Sequence, residues 1–226
     1  RQGWVSALDK LITLSESGGG TISFDTSAIR PRGSLIMGFG GTASGPGPLI
    51  ELLLGVADLL NDCVGKPLTS LDAMSIDHQI ASCVVAGNVR RSARMSIKSW
   101  KDPDVLDFIR CKSENPESHW STNISVEIDY DFIEGLGKNY GAELVLEAVL
   151  DGMLENGEPG FYNSSLASIG ERGDVRSTNP CGEIPLEDFE PCNLGHLNLA
   201  ALAGDRPRAI EAARLMTRFL IRATFG

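Results

Sequence analysis

Runs with the period of a helix alternate with short runs of strand period along nearly the whole of this chain, and that alternation narrows the folds open to it. Trp4, Val5, Leu8, Leu11 and Ile12 repeat at helical spacing before Ser17-Gly18-Gly19-Gly20 breaks the pattern, and residues 21–24 then read as a short strand. Residues 49–60 are apolar almost all round, which predicts a buried helix, and residues 70–85 predict a second helix opening at Thr69 or Ser70. Residues 92–97 and 121–128 alternate like strands. The polar stripes Glu143, Glu147, Asp151 and Glu211, Arg214, Arg218 predict amphipathic helices over 143–154 and 209–221. Strands interleaved with helices favour an α/β architecture with a mainly parallel sheet or barrel. No repeat, low-complexity tract or long linker divides the 226 residues, so one domain is expected.

The formal net charge of -10 argues against a nucleic-acid polymer or an acidic membrane surface as partner, while a small nucleotide held by local arginines is compatible with it. No apolar stretch reaches bilayer length and no leader-like segment opens the chain, so a cytoplasmic setting is expected. The chain opens on Arg1 and stops at Gly226 directly after an apolar helical pattern, which reads as an internal piece of a larger protein.

Five cysteines without regular spacing do not make a disulfide framework, so most are expected as free thiols in a reducing compartment. Cys63, Cys83 and Cys111 lie in or beside helical patterns and read as small buried hydrophobes. His78, His119 and His196 read as isolated structural or surface residues. Cys181 and Cys192 have informative neighbours, Asn179-Pro180-Cys181-Gly182-Glu183 and Glu190-Pro191-Cys192-Asn193-Leu194. Together with His196 they could be zinc ligands, but their separation is too wide for one zinc knuckle, so no metal site is expected. A protease-type nucleophile would need a base histidine that the sequence does not assign. Redox use fits better: a thiol oxidised in turnover needs a second to close a disulfide, and a carboxylate two residues from a sulfur can take a proton from a substrate hydroxyl. The residues alone leave this as one reading among several.

Two loops carry small residues and arginines. The first, about residues 28–48, holds Arg30, Arg32, Gly33, Gly40, Gly41, Thr42 and Ser44 just before a long helix. It reads either as a plain tight-turn loop or as a phosphate contact through backbone N–H groups. The second, about residues 86–96, holds Gly87, Asn88, Arg90, Arg91 and Ser92 between a helix and a strand. It reads either as a solvated basic turn or as a set of guanidinium forks for phosphates and base edges.

The cysteine segment at about residues 177–200 resembles the active-site segment of ribonucleotide reductase large chains, and the spacing of Cys181 and Cys192 is similar to that of the cobalamin-dependent class. Residues 40–46, 84–93 and 156–160 resemble the monomeric, triphosphate-using branch. The resemblance implies part of a ten-stranded α/β barrel, with 1–226 as a single partial catalytic domain and the radical cysteine on a finger loop. It implies that Cys181 becomes a thiyl radical with adenosylcobalamin and abstracts the ribose 3′ hydrogen. By the same resemblance Glu183 takes the 3′-OH proton, Asn179 orients the ribose hydroxyls, and Cys192 is one of the two reducing thiols, the other lying upstream of the segments seen here. A deoxynucleotide effector on the first loop would be linked to the base of a ribonucleoside triphosphate substrate by the second loop, and a thioredoxin-type reductant would act through a C-terminal cysteine pair. This piece alone is expected to show no turnover. The rival reading is a non-catalytic nucleotide-binding regulatory fragment of the same family.

Overall fold

A computed structural model describes residues 2–38, 40–86, 92–114, 119–171 and 173–224. Contacts divide the chain into two compact units, residues 1–169 and 170–226. In the first, helices α1 (Gln2–Glu16), α2 (Gly47–Asp62) and α3 (Ser70–Ala86) precede β1 (Arg94–Ser99), α4 (Val105–Glu114), β2 (Thr122–Ile128), α5 (Tyr130–Gly135), α6 (Tyr140–Asn156), β3 (Gly160–Asn163) and α7 (Ser164–Ala167). The second contains β4 (Ser177–Thr178), β5 (Pro185–Leu186), α8 (Leu199–Leu202) and α9 (Arg206–Thr224).

The expected parallel α/β arrangement is present. β1, β2 and β3 form a sheet in that order, with β2 parallel to both neighbours and Arg94 opposite Thr122. Ile124, Val126 and Ile128 of β2 pack with Phe108 and Ile109 of α4, Phe132 of α5, and Val145 and Val149 of α6. A second core gathers Leu11 of α1, Leu49, Leu52, Leu53 and Val56 of α2, and Cys83 of α3. Asp129 joins several elements at once. Its carboxylate caps α5 by accepting from the Phe132 N–H at 3.0 Å, and it also accepts from Trp100 Nε1 at 3.0 Å and Lys101 Nζ at 2.7 Å. It thus binds the turn after β1 to the helix after β2.

Three expectations change. Residues 21–24 form no strand, although Ile22 and Phe24 pack on the second core, because the segment pairs with no neighbouring strand among the described residues. α2 is covered on one side only, leaving Ile50 39% and Leu54 60% exposed. His78 and His119 are not isolated from one another: their rings lie 5.8 Å apart, Trp120 stands edge-on to His78 at 5.5 Å, and His78 Nδ1 is 2.8 Å from Ser121 Oγ.

Burial lowers the pKa of both imidazoles, with Asp77 partly opposing this at His78, and the nearby His78 and Lys112 charges adding to it at His119. With the folded value depressed, the unfolded chain takes up protons first as pH falls. The stability from keeping these rings neutral is therefore complete above the ordinary imidazole value of 6.5 and is lost as pH falls from there through the folded values. We expect the urea midpoint to drop between neutral and mildly acidic pH, and the drop to shrink in the double variant His78→Gln, His119→Gln; an unchanged slope would refute this. We also expect Phe132→Ala, at a side chain 1% exposed, to cost about 3–5 kcal/mol in urea unfolding, and Leu154→Ala, at one 88% exposed, to stay within about 0.5 kcal/mol of wild type.

Candidate active site

The Cys181 segment is a hairpin loop. β4 and β5 pair antiparallel, Ser177 opposite Leu186 and Thr178 opposite Pro185, which leaves residues 179–184 as the connection. The Gly182 N–H donates to Asn179 O at 2.9 Å, closing a turn in which Pro180 fixes the first central φ and Cys181 is the second central residue. Gly182 follows at φ 86, a left-handed conformation that a side chain resists. Cys181 and Glu183 are exposed on this loop, whereas Asn179 is 3% exposed.

The Asn179 amide holds the loop from inside. Its Oδ1 accepts from the Ile184 N–H at 3.0 Å, and its backbone N–H donates to Ile184 O at 3.3 Å. Its Nδ2 lies 3.5 Å from Cys192 Sγ. A second turn, in which the Glu187 N–H donates to Glu190 Oε2 at 2.8 Å, reverses the chain so that Cys192 returns to Asn179. All five cysteines are free; Cys192 is half-buried and Cys83 is buried. Burial pushes the Cys111 thiol up to about 11, the character of an inert packing residue.

The first glycine-rich loop is a small hairpin of the N-terminal unit. Leu35 bridges Thr42, the Gly33 N–H donates to Ala43 O at 2.8 Å, and the Ala43 N–H donates to Ser34 O at 2.8 Å. The Gly40 N–H donates to Ile36 O at 2.9 Å. These amides are therefore engaged within the loop. Arg30 Nη1 braces it by donating to Leu35 O at 3.2 Å, while Arg32, Gly33, Gly40, Gly41 and Thr42 are exposed and Ser44 is half-buried.

Of the second loop, Gly87, Asn88, Arg90 and Arg91 lie outside the described residues, and Ser92 is half-buried. The described residues flanking it are tied together. Arg94 of β1 forms an ion pair with Asp77 of α3, and the Arg94 N–H donates to Ser121 O at 3.1 Å. Arg94 lies within the second loop as read from the sequence, but its partner Asp77 was missed, because a lone Asp on a helix carries no signal until the fold pairs it.

Comparison with known proteins bears on the whole chain. Residues 1–60 match the family profile of the B12-dependent ribonucleotide reductase insertion domain, and residues 137–223 match that of the ribonucleotide reductase barrel domain. A Mycobacterium phage D29 protein, named provisionally as an adenosylcobalamin-dependent ribonucleoside-triphosphate reductase, is 47% identical over 252 residues, covering 100% of this chain and 36% of that protein. Proteins carrying that enzyme name outright from Lactobacillus acidophilus and Lactobacillus leichmannii are 39% and 41% identical, each over 100% of this chain and 31% of the relative. The chain spans about a third of the length of these curated relatives. From the insertion-domain match at one end to the barrel-domain match and its cysteine hairpin at the other, the chain is similar along its whole length to the B12-dependent ribonucleotide reductases.

Proposed function

We propose that this chain supplies the radical hairpin and the specificity loops of an enzyme that reduces ribonucleoside triphosphates to 2′-deoxyribonucleoside triphosphates. The observation that supports this most is the placement of Cys181, exposed at a self-closed turn between Asn179 and Glu183, with Cys192 drawn back to the Asn179 amide. The relatives' names and the two family profiles support the substrate class and the cofactor. In the net reaction the C2′–OH bond is replaced by C2′–H, the oxygen leaves as water, and two thiols give up two electrons and two hydrogens to become a disulfide.

The residues divide that work by their chemistry. Cys181 suits the initiating step because its S–H can lose and regain a hydrogen atom, so a sulfur radical there can take the ribose 3′ hydrogen. Adenosylcobalamin, when bound, supplies the one-electron chemistry that removes the thiol hydrogen. The exposure of Cys181 fits a cofactor approaching from outside the turn, and this reading assigns no residue of this chain to hold the corrin. Glu183, exposed two positions on, accepts the 3′-OH proton. An amide has two donor hydrogens and two acceptor lone pairs. With one of each engaged at Cys192 and Ile184, Asn179 retains one of each to orient the ribose hydroxyls. Cys192 gives one of the two reducing thiols, and the second belongs to the longer protein.

The glycine-rich loop with Arg30, Arg32, Gly33, Gly40, Gly41, Thr42 and Ser44 takes a deoxynucleotide effector in this reading. The loop with Gly87, Asn88, Arg90, Arg91 and Ser92 relays its identity to the substrate base. A thioredoxin-type protein restores the thiols, and the setting is the reducing cytoplasm. In the full-length protein, we expect Cys181→Ser to abolish deoxynucleotide formation and to leave effector affinity within about twofold, because an O–H bond is too strong to exchange its hydrogen. Cys192→Ser should retain hydrogen exchange between the cofactor 5′ carbon and solvent while sustained reduction fails. Substantial turnover by the Cys181 variant would sink the proposal.

A further inference from the structure

The segment that carries Cys192 is fastened from two sides inside the C-terminal unit. On one side Asn179 Nδ2 approaches Cys192 Sγ at 3.5 Å. On the other, the next residue along, Asn193, donates through Nδ2 to Thr224 Oγ1 at 2.8 Å and to Leu220 O at 3.4 Å. Thr224 Oγ1 itself donates to Leu220 O at 3.1 Å, so the amide, the hydroxyl and the carbonyl form a closed triangle on the last turn of α9. Two residues further, the backbone at Gly195 lies directly on the same helix: a Cβ there would fall 2.7 Å from Met216 Sδ and 3.3 Å from Leu220 Cδ2. A side chain at this position would require the Met216 side chain to shift.

We propose that Asn193 is a positioning residue for the Cys192 thiol, hooking its loop to the C-terminal turn of α9 so that Sγ remains beside Asn179. Residues 187–198 contain no regular element, so the ladder and helix bonds that fix β4, β5 and α9 do not reach Cys192 directly. The rotation of the loop about its own axis is set instead by the Asn193 hook and the Gly195 contact. Thiol–disulfide chemistry tolerates little misplacement, because a disulfide forms only over a narrow range of Cβ separation and torsion. Displacement of a reacting group by about 1 Å can cost about a hundredfold in rate. The consequence for turnover rests on the function proposed above; the hook itself does not.

The test uses the full-length protein carrying Asn193→Ala, and separately Thr224→Val, which keeps the shape and the Leu220 carbonyl but removes the hydroxyl. We expect Asn193→Ala to lower deoxynucleotide formation by about tenfold or more, and hydrogen exchange at the cofactor 5′ carbon, which needs Cys181 alone, to change by less than about twofold. Thr224→Val should give a smaller loss with the same split. Iodoacetamide labelling read by peptide mass should show Cys192 reacting faster in Asn193→Ala, with the Cys181 rate unchanged. Equal losses in exchange and reduction would mean a general folding role and overturn the proposal, as would undiminished reduction. A wild-type protein that supports neither exchange nor reduction would refute the proposed function alone. The labelling rates would still decide the hook, and an unchanged Cys192 rate in Asn193→Ala would overturn it.

Discussion

β2 is hydrogen-bonded along both edges to parallel neighbours, and parallel strands cannot be joined by a tight turn. Each connection must travel back the length of the sheet, and here each does so with helix: α4 between β1 and β2, then α5 and α6 between β2 and β3. Those returning helices cover the apolar positions of β2, so Phe108, Phe132 and Val149 become fully buried together with Val126. Burying a side chain of this size is worth about 1.5–3 kcal/mol, which makes the crossover helices a condition of the sheet rather than an attachment to it. The same parallel pairing puts the entries to β1 and β2 at one end, where Arg94 meets Asp77 on one side and the Ser121 carbonyl on the other.

The features legible in sequence were those with a repeating period. The stripes in α6 and α9 and the run that became β2 are long enough for the pattern to rise above composition. Residues 21–24 had the right composition for a strand, but a strand exists only with a partner, and no local pattern supplies one. β3, from Gly160 to Asn163, is four half-buried residues without alternation, so period carried no signal for it. The exposed side of α2 could not be foreseen either, because Ile50 and Leu54 have the same chemistry as the buried Leu49 and Leu53.

At the cysteine segment, sequence was informative over short spans and silent over long ones. Asn179, Pro180 and Gly182 are turn-forming residue types in themselves. The contact of Asn179 with Cys192 spans 13 positions and that of Asn193 with Thr224 spans 31, the second fixed by where the last turn of α9 lies. The pairing of His78 on α3 with His119 in the turn ahead of β2 is of the same kind. Side-chain amides, which bond equally well to backbone, hydroxyl or sulfur, give no hint of their partner before the fold is known.

β4 and β5 contribute two residues each, so the sheet does little to hold the Cys181 loop in shape. Its form comes from the Asn179 side chain, the Pro180 ring and the Gly182 backbone, all within four consecutive residues. Such a loop behaves as a self-contained cassette. Its curvature is written in its own short code, and sequence drift in the surrounding helices can proceed without redrawing it. A substitution in α8 or α9 therefore leaves the bonds that curve the loop in place.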